Sequence, residues 1–163
     1  PEFTSALLHV ARAEGLHTCI ETSGCGDEDA LVALVPVVDL FLYDYKESDP
    51  RLHERYTGHS SAAILDNLCA LDAAGASIVL RCPIVPGLND REDHYQGIVR
   101  TANALKHCEA VHLMGYHRLG TAKQARLGVD DASQRFEPMP PEALEEVAVR
   151  MRTASTKPVL AYV

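Results

Sequence analysis

The sequence predicts an α/β fold built on a parallel sheet. Short apolar, β-branched segments alternate with helical patterns along the chain. Each strand-like segment is separated from the next by a stretch long enough for a helical crossover. Within the 163 residues, 47% are hydrophobic and no low-complexity run interrupts the pattern. That is enough chain to bury the core of one domain, spanning residues 1–163.

Pro1 and Glu2 suit the first turn of a helix, and Phe3, Leu7, Leu8, Val10 and Ala11 recur at helical spacing until Gly15. Residues 17–22 read as a short strand, broken by Ser23, Gly24, Cys25 and Gly26, and residues 27–34 as a short helix. Residues 40–46 form the clearest strand, an apolar run that ends in Asp44 and Lys46. Ser48, Asp49 and Pro50 open a helical stretch to about Tyr56; Ser60 and Ser61 cap a longer helix through Leu71 that stops near Gly75. Residues 77–84 are a β-branched strand followed by a Pro86-Gly87 turn. Asp90 opens a helix to about His107, residues 110–114 are a strand, residues 142–153 a helix, and residues 158–163 a last strand. The weakly periodic stretch 115–141 is long for a plain connection and reads as a functional loop with a short helical piece.

Composition narrows the function. A net charge of −8 with scattered Lys and Arg gives no nucleic-acid footprint. No apolar run approaches the ~20 residues of a membrane span, and no signal-peptide pattern is present. A cytoplasmic protein without a membrane partner is the expectation. The chain starts at Pro1, directly in a helix start, so a piece of a longer protein is also expected.

Five cysteines, at 19, 25, 69, 82 and 108, make no CxxC pair and no zinc spacing. Cys69 falls in a helical apolar pattern and is expected in the core, whereas Cys19 and Cys82 fall in strands and Cys25 in a loop. Gly24-Cys25-Gly26 is too short for a phosphate loop, and turn chemistry with a helix cap accounts for Val85 to Asp90.

Polar groups gather at strand ends. Glu21 and Thr22 close the first strand, and Asp44 and Lys46 the second, where alternation puts the acid and the amine on one face. Such a pair can hold a zwitterion, or simply each other. Arg81 comes from the third strand, and Tyr116 and His117 follow the fourth. In a parallel sheet the C-terminal strand ends line the ligand crevice, and a curved sheet would bring these groups to one mouth. Two carboxylates, two cations and an imidazole there suit an amino-acid moiety. Spacing alone names no reaction.

Four segments carry a resemblance. Glu21-Thr22-Ser23-Gly24, Tyr43-Asp44-Tyr45-Lys46, the run from Arg81 to Asp90 that reads RCPIVPGLND, and Tyr116-His117-Arg118-Leu119-Gly120 stand in one order. In that order and spacing the chain resembles the C-terminal part of the glycyl-radical-enzyme activating proteins, of the pyruvate formate-lyase activating type, within the radical S-adenosylmethionine superfamily. The resemblance implies the C-terminal portion of a partial, six-stranded (β/α) TIM-like barrel. It maps the S-adenosylmethionine site onto Asp44, Lys46 and His117, with Arg81 contributing at the same mouth. It maps a monovalent cation site onto Glu21, Thr22 and Asp44, with Glu21 where the family often has Asp. The implied activity cleaves S-adenosylmethionine at a four-iron four-sulfur cluster to give a 5′-deoxyadenosyl radical, which installs a glycyl radical on a partner such as pyruvate formate-lyase. A flavodoxin or ferredoxin would supply the electron.

The family's CxxxCxxC loop and Gly-Gly-Glu element are missing from this chain. Without the thiolates no cluster can be held, so the chain alone is expected to be an inactive fragment with no catalytic residue of its own. Its first strand would carry an unpaired edge, through which self-association is expected. A cluster-free barrel module for ligand binding or protein interaction is the alternative.

Overall fold

A computed structural model describes residues 2–118 and 136–162. Five strands and six helices alternate in it: α1 (Glu2–Ala13), β1 (Cys19–Thr22), α2 (Glu28–Val32), β2 (Leu40–Asp44), α3 (Pro50–Thr57), α4 (Ala62–Ala73), β3 (Ile78–Ile84), α5 (Glu92–Ala104), β4 (Cys108–Gly115), α6 (Pro141–Arg152) and β5 (Val159–Tyr162). The expected loop over residues 115–141 lies largely outside the described residues. The predicted elements are present with shifted ends: β2 stops before Tyr45, and β4 starts at Cys108 rather than Ala110.

Local chemistry sets the helix boundaries. Asp27 accepts from Ala30 N and caps α2; Asp49 accepts from Arg51 N and Leu52 N and caps α3. Gly58, with φ 76°, ends α3 in the left-handed region that a side chain would strain. Ser60 Oγ accepts from Ala62 N, while Ser61 makes no side-chain cap bond, so capping of α4 falls to the first serine. Asp90 does not open α5; the helix starts two residues on at Glu92, and Asp90 instead accepts from the Tyr95 hydroxyl.

All neighbouring strands are parallel, and their spatial order β1-β2-β3-β4-β5 is their sequence order. Same-handed crossovers in such a sheet stack the helices on one side, the arrangement of a barrel that is not closed here. Register then sorts every strand residue onto one of two faces. On the covered face, Phe41, Tyr43, Ile78, Leu80, Cys82, Ile84, Val111 and Leu113 are fully buried. Each large apolar side chain so buried contributes about 1.5–3 kcal/mol relative to an exposed one. Ile64, Leu68 and Leu71 from the buried stripe of α4 pack into this layer, while Asn67 beside them donates to Gly24 O and Gly26 O. Cys69 is exposed, contrary to expectation, because it lies about 100° round the helix from Leu68.

Helix α1 buries none of its residues, and Phe3, Leu7 and Val10 are exposed on it. Leu8 packs in part against the core, and Arg12 ties the helix to Asp39 just ahead of β2. Asp39 accepts from Arg12 at 2.6 Å, from Thr18 N at 2.8 Å and from Thr18 Oγ1 at 3.0 Å. Led by the Thr18 amide, these donors hold its carboxyl at a pKa of about 2. No described helix is long and apolar enough to cross a membrane.

Candidate ligand site on the open face of the sheet

The second face of the sheet carries the polar residues. Backbone pairing runs Asp44 to Arg81, Arg81 to His112 and His112 to Leu160, so one row crosses four strands. Glu21 lies in the row behind, level with Leu42, and its carboxylate reaches diagonally to an ion pair with Arg81. Arg81 is not at a strand end: β3 continues three residues beyond it, to Ile84. It reaches the same row as Asp44 because β3 extends past β2.

Just after β2, Lys46 Nζ stands 3.2 Å from Asp44 Oδ2, with the two side chains 39% and 25% exposed. Together with Ser23, His53, Thr57, His59 and Ile64 they line a pocket of about 250 Å³. Thr22 alternates to the covered face beside Tyr43, and its hydroxyl accepts from Gly24 N at 3.0 Å. The structure therefore brings together Glu21, Asp44, Lys46 and Arg81, and sets Thr22 on the other side of the sheet. His117 is exposed beyond the end of β4, and Leu119 and Gly120 of its motif lie outside the described residues.

Sequence reasoning missed the groups that hold this mouth in place. Asn89, assigned only to turn chemistry, donates to Lys46 O at 3.0 Å and Pro83 O at 2.7 Å and accepts from Val85 N at 2.8 Å. One buried amide thus fastens the end of β2 to the end of β3. Next to it, the Glu47 carboxylate is buried and accepts from both terminal guanidinium nitrogens of Arg91, at 3.0 and 3.2 Å, and from the Ser48 and Asp49 amides. The Glu47 carboxylate is the main cause that raises the Arg91 pKa. His94, fully buried, takes a hydrogen bond from Ser48 N at 3.1 Å and stacks on Tyr45. Burial lowers its pKa, with Glu47 opposing, so the ring is held neutral. Nothing in the spacing of Glu47, Asn89, Arg91 and His94 announces a cluster, because the four come from two loops and one helix.

His112 was also missed, though strand alternation from Ala110 and Met114 puts it on the open face. Burial and the Arg81 charge lower its pKa, and its ring lies 4.6 Å from that of Tyr162. A neutral imidazole, a guanidinium, two carboxylates and an amine can orient a zwitterion on this face.

The cysteines do not fit an iron–sulfur cluster. Cys82 and Cys108 are buried in strands, Cys19, Cys25 and Cys69 are exposed, and the described residues contain no group of three or more potential metal ligands. The pocket does fit the amino-acid end of S-adenosylmethionine, since it offers an acid, an amine and an imidazole within one small cavity.

Comparison with known proteins agrees with this picture. No family model matches the chain. Isethionate sulfite-lyase activating enzyme of Nitratidesulfovibrio vulgaris is 39% identical over 125 residues, which is 76% of this chain and 40% of that protein. Pyruvate formate-lyase-activating enzyme of Streptococcus mutans is 28% identical over 158 residues, 93% of this chain and 60% of that protein. The match thus spans about two fifths of the length of the first of these relatives. A solved domain of pyruvate-formate lyase-activating enzyme from Bacteroides vulgatus has the same fold, with a TM-score of 0.81 at 18% identity, covering 100% of this chain and 91% of that one. Over the part it spans, the chain is similar in sequence to glycyl-radical-enzyme activating enzymes and shares the fold of a domain of one of them.

Proposed function

We propose that this chain supplies the substrate-facing wall of a radical S-adenosylmethionine activating enzyme that installs a glycyl radical on a large partner enzyme. The observation that carries the reading is the Asp44–Lys46 pair on the open face, 3.2 Å apart and in reach of water. A pair in that setting exchanges partners at little cost, since exposed ion pairs contribute only about 0–1 kcal/mol. Lys46 would take the ligand's carboxylate and Asp44 its ammonium, or a monovalent cation together with Glu21. Thr22, on the covered face with its hydroxyl taken by Gly24 N, stands apart from that cation site. Arg81, held by Glu21, and His117 would complete the ligand's surroundings.

When bound, S-adenosylmethionine supplies the group that is cleaved, and the four-iron four-sulfur cluster that the family uses would be carried outside this chain. The residues here bind and orient; none is assigned a proton or electron transfer. The partner would be a glycyl radical enzyme of the pyruvate formate-lyase kind, and the electron donor a flavodoxin or ferredoxin. The edge of β1 that no strand pairs with among the described residues, and the exposed apolar stripe of α1, are the surfaces through which the isolated chain would self-associate.

Reading the coding sequence upstream of Pro1 tests the proposal. A continuous frame that encodes CxxxCxxC supports it. A frame that starts near Pro1 with no such motif anywhere in the gene product overturns it, and leaves a ligand-binding module instead.

A further inference from the structure

We infer that His53 is a ligand-binding residue of the Asp44–Lys46 pocket, taking a hydrogen bond at Nε2 from an N–H or O–H donor of the bound molecule. The inference rests on the proposed ligand reading and extends it to a residue outside the four motif segments. His53 sits in α3, the helix that follows β2, and is buried, yet it lines the same pocket of about 250 Å³ as Asp44 and Lys46.

The state of the ring follows from its partners. Its Nδ1 lies 2.9 Å from His59 O, and a carbonyl oxygen only accepts, so Nδ1 carries the proton. Thr57 Oγ1, which donates to His53 O at 2.8 Å, flanks the same nitrogen at 3.3 Å. In the neutral ring Nε2 is then an acceptor with a free lone pair. It has no hydrogen-bond partner among the described residues, and it is not among the side-chain atoms sealed from solvent, unlike His94 Nε2. A ring clamped at one nitrogen and open at the other is oriented before the ligand arrives.

The donors available on S-adenosylmethionine are its ammonium, its ribose hydroxyls and its adenine amino group. All present the same chemistry to Nε2, and two fragments separate the two ends of the molecule: L-methionine carries the ammonium, adenosine the hydroxyls and the amino group.

The test uses the whole chain labelled with ¹⁵N-histidine. The His53 Nε2 resonance is followed while S-adenosylmethionine, L-methionine or adenosine is added, and affinities are measured by calorimetry for wild type, His53→Asn, His53→Gln and Lys46→Met. An Asn side chain keeps a donor where Nδ1 stands and loses Nε2; a Gln side chain does the reverse. His53→Asn is expected to bind S-adenosylmethionine about tenfold more weakly with its melting temperature retained, the loss of one hydrogen bond to a charged or polar ligand. His53→Gln is expected to keep its affinity within about threefold and to melt lower. The resonance should move with S-adenosylmethionine and with one of the two fragments. Wild-type affinity in His53→Asn together with an unmoved resonance overturns the assignment, even where Lys46→Met weakens binding. Failure of the wild type to bind S-adenosylmethionine overturns the ligand reading and this inference with it.

Discussion

Lys46 and Glu47 are adjacent in sequence and stand in opposite environments. Lys46 pairs with Asp44 on the open face, with 39% of its side chain exposed. Glu47 turns the other way, is 1% exposed, and is closed over by Arg91 and two backbone amides. Both are acid–base pairs within hydrogen-bonding distance, and their roles differ because their solvation does. A buried carboxylate that loses its cation keeps a charge it cannot solvate, whereas an open pair trades its partner for water or for a ligand. The chain has put its fixed pair beneath its exchangeable one.

The contrast is sharpest in stability. Arg91→Met leaves Glu47 buried without its guanidinium and is expected to cost about 3–5 kcal/mol in urea unfolding, while Lys46→Met changes stability by less than about 1 kcal/mol. Equal losses in the two variants would remove the distinction between the pairs.

A smaller effect should appear with pH. His94 beside Glu47 is held neutral in the folded state by burial, below its ordinary value of 6.5. Below that pH the unfolded chain binds a proton that the folded chain resists, so stability is retained above pH 6.5 and falls as the pH drops beneath it. His112 shifts in the same direction from the open face, chiefly through burial and then through Arg81. Melting curves between pH 7.5 and about 5.5 should therefore flatten more in His94→Gln than in His112→Gln, the less buried of the two. A pH profile unchanged by His94→Gln would mean that the ring is not held neutral.

Much of the fold was legible in the sequence, and the reason is periodicity. Strand and helix patterns alternate cleanly from Cys19 to Arg152 outside the long loop, and alternation along β2 alone put Asp44 and Lys46 on one side. The resemblance named the kind of protein to which the comparisons also find the chain similar. What stayed hidden depends on where strands end relative to one another and on burial. Arg81 looked like a strand-end residue, but lies mid-strand and joins the row only through the offset of β3 against β2. Cys69 looked apolar by its neighbours and faces outward because α4 buries a narrow stripe. Asn89 and Arg91 are polar residues after a Pro-Gly turn, and only the folded chain shows them gripping Lys46 O and Glu47.

The most direct test of the account is calorimetric titration of the chain with S-adenosylmethionine, in wild type and in Lys46→Met, with melting temperatures recorded on the same samples. The account predicts that Lys46→Met loses at least about tenfold in affinity while melting within a few degrees of wild type. Wild-type affinity in Lys46→Met would contradict it, since the open-face pair would then be no more than an ion pair closing a strand.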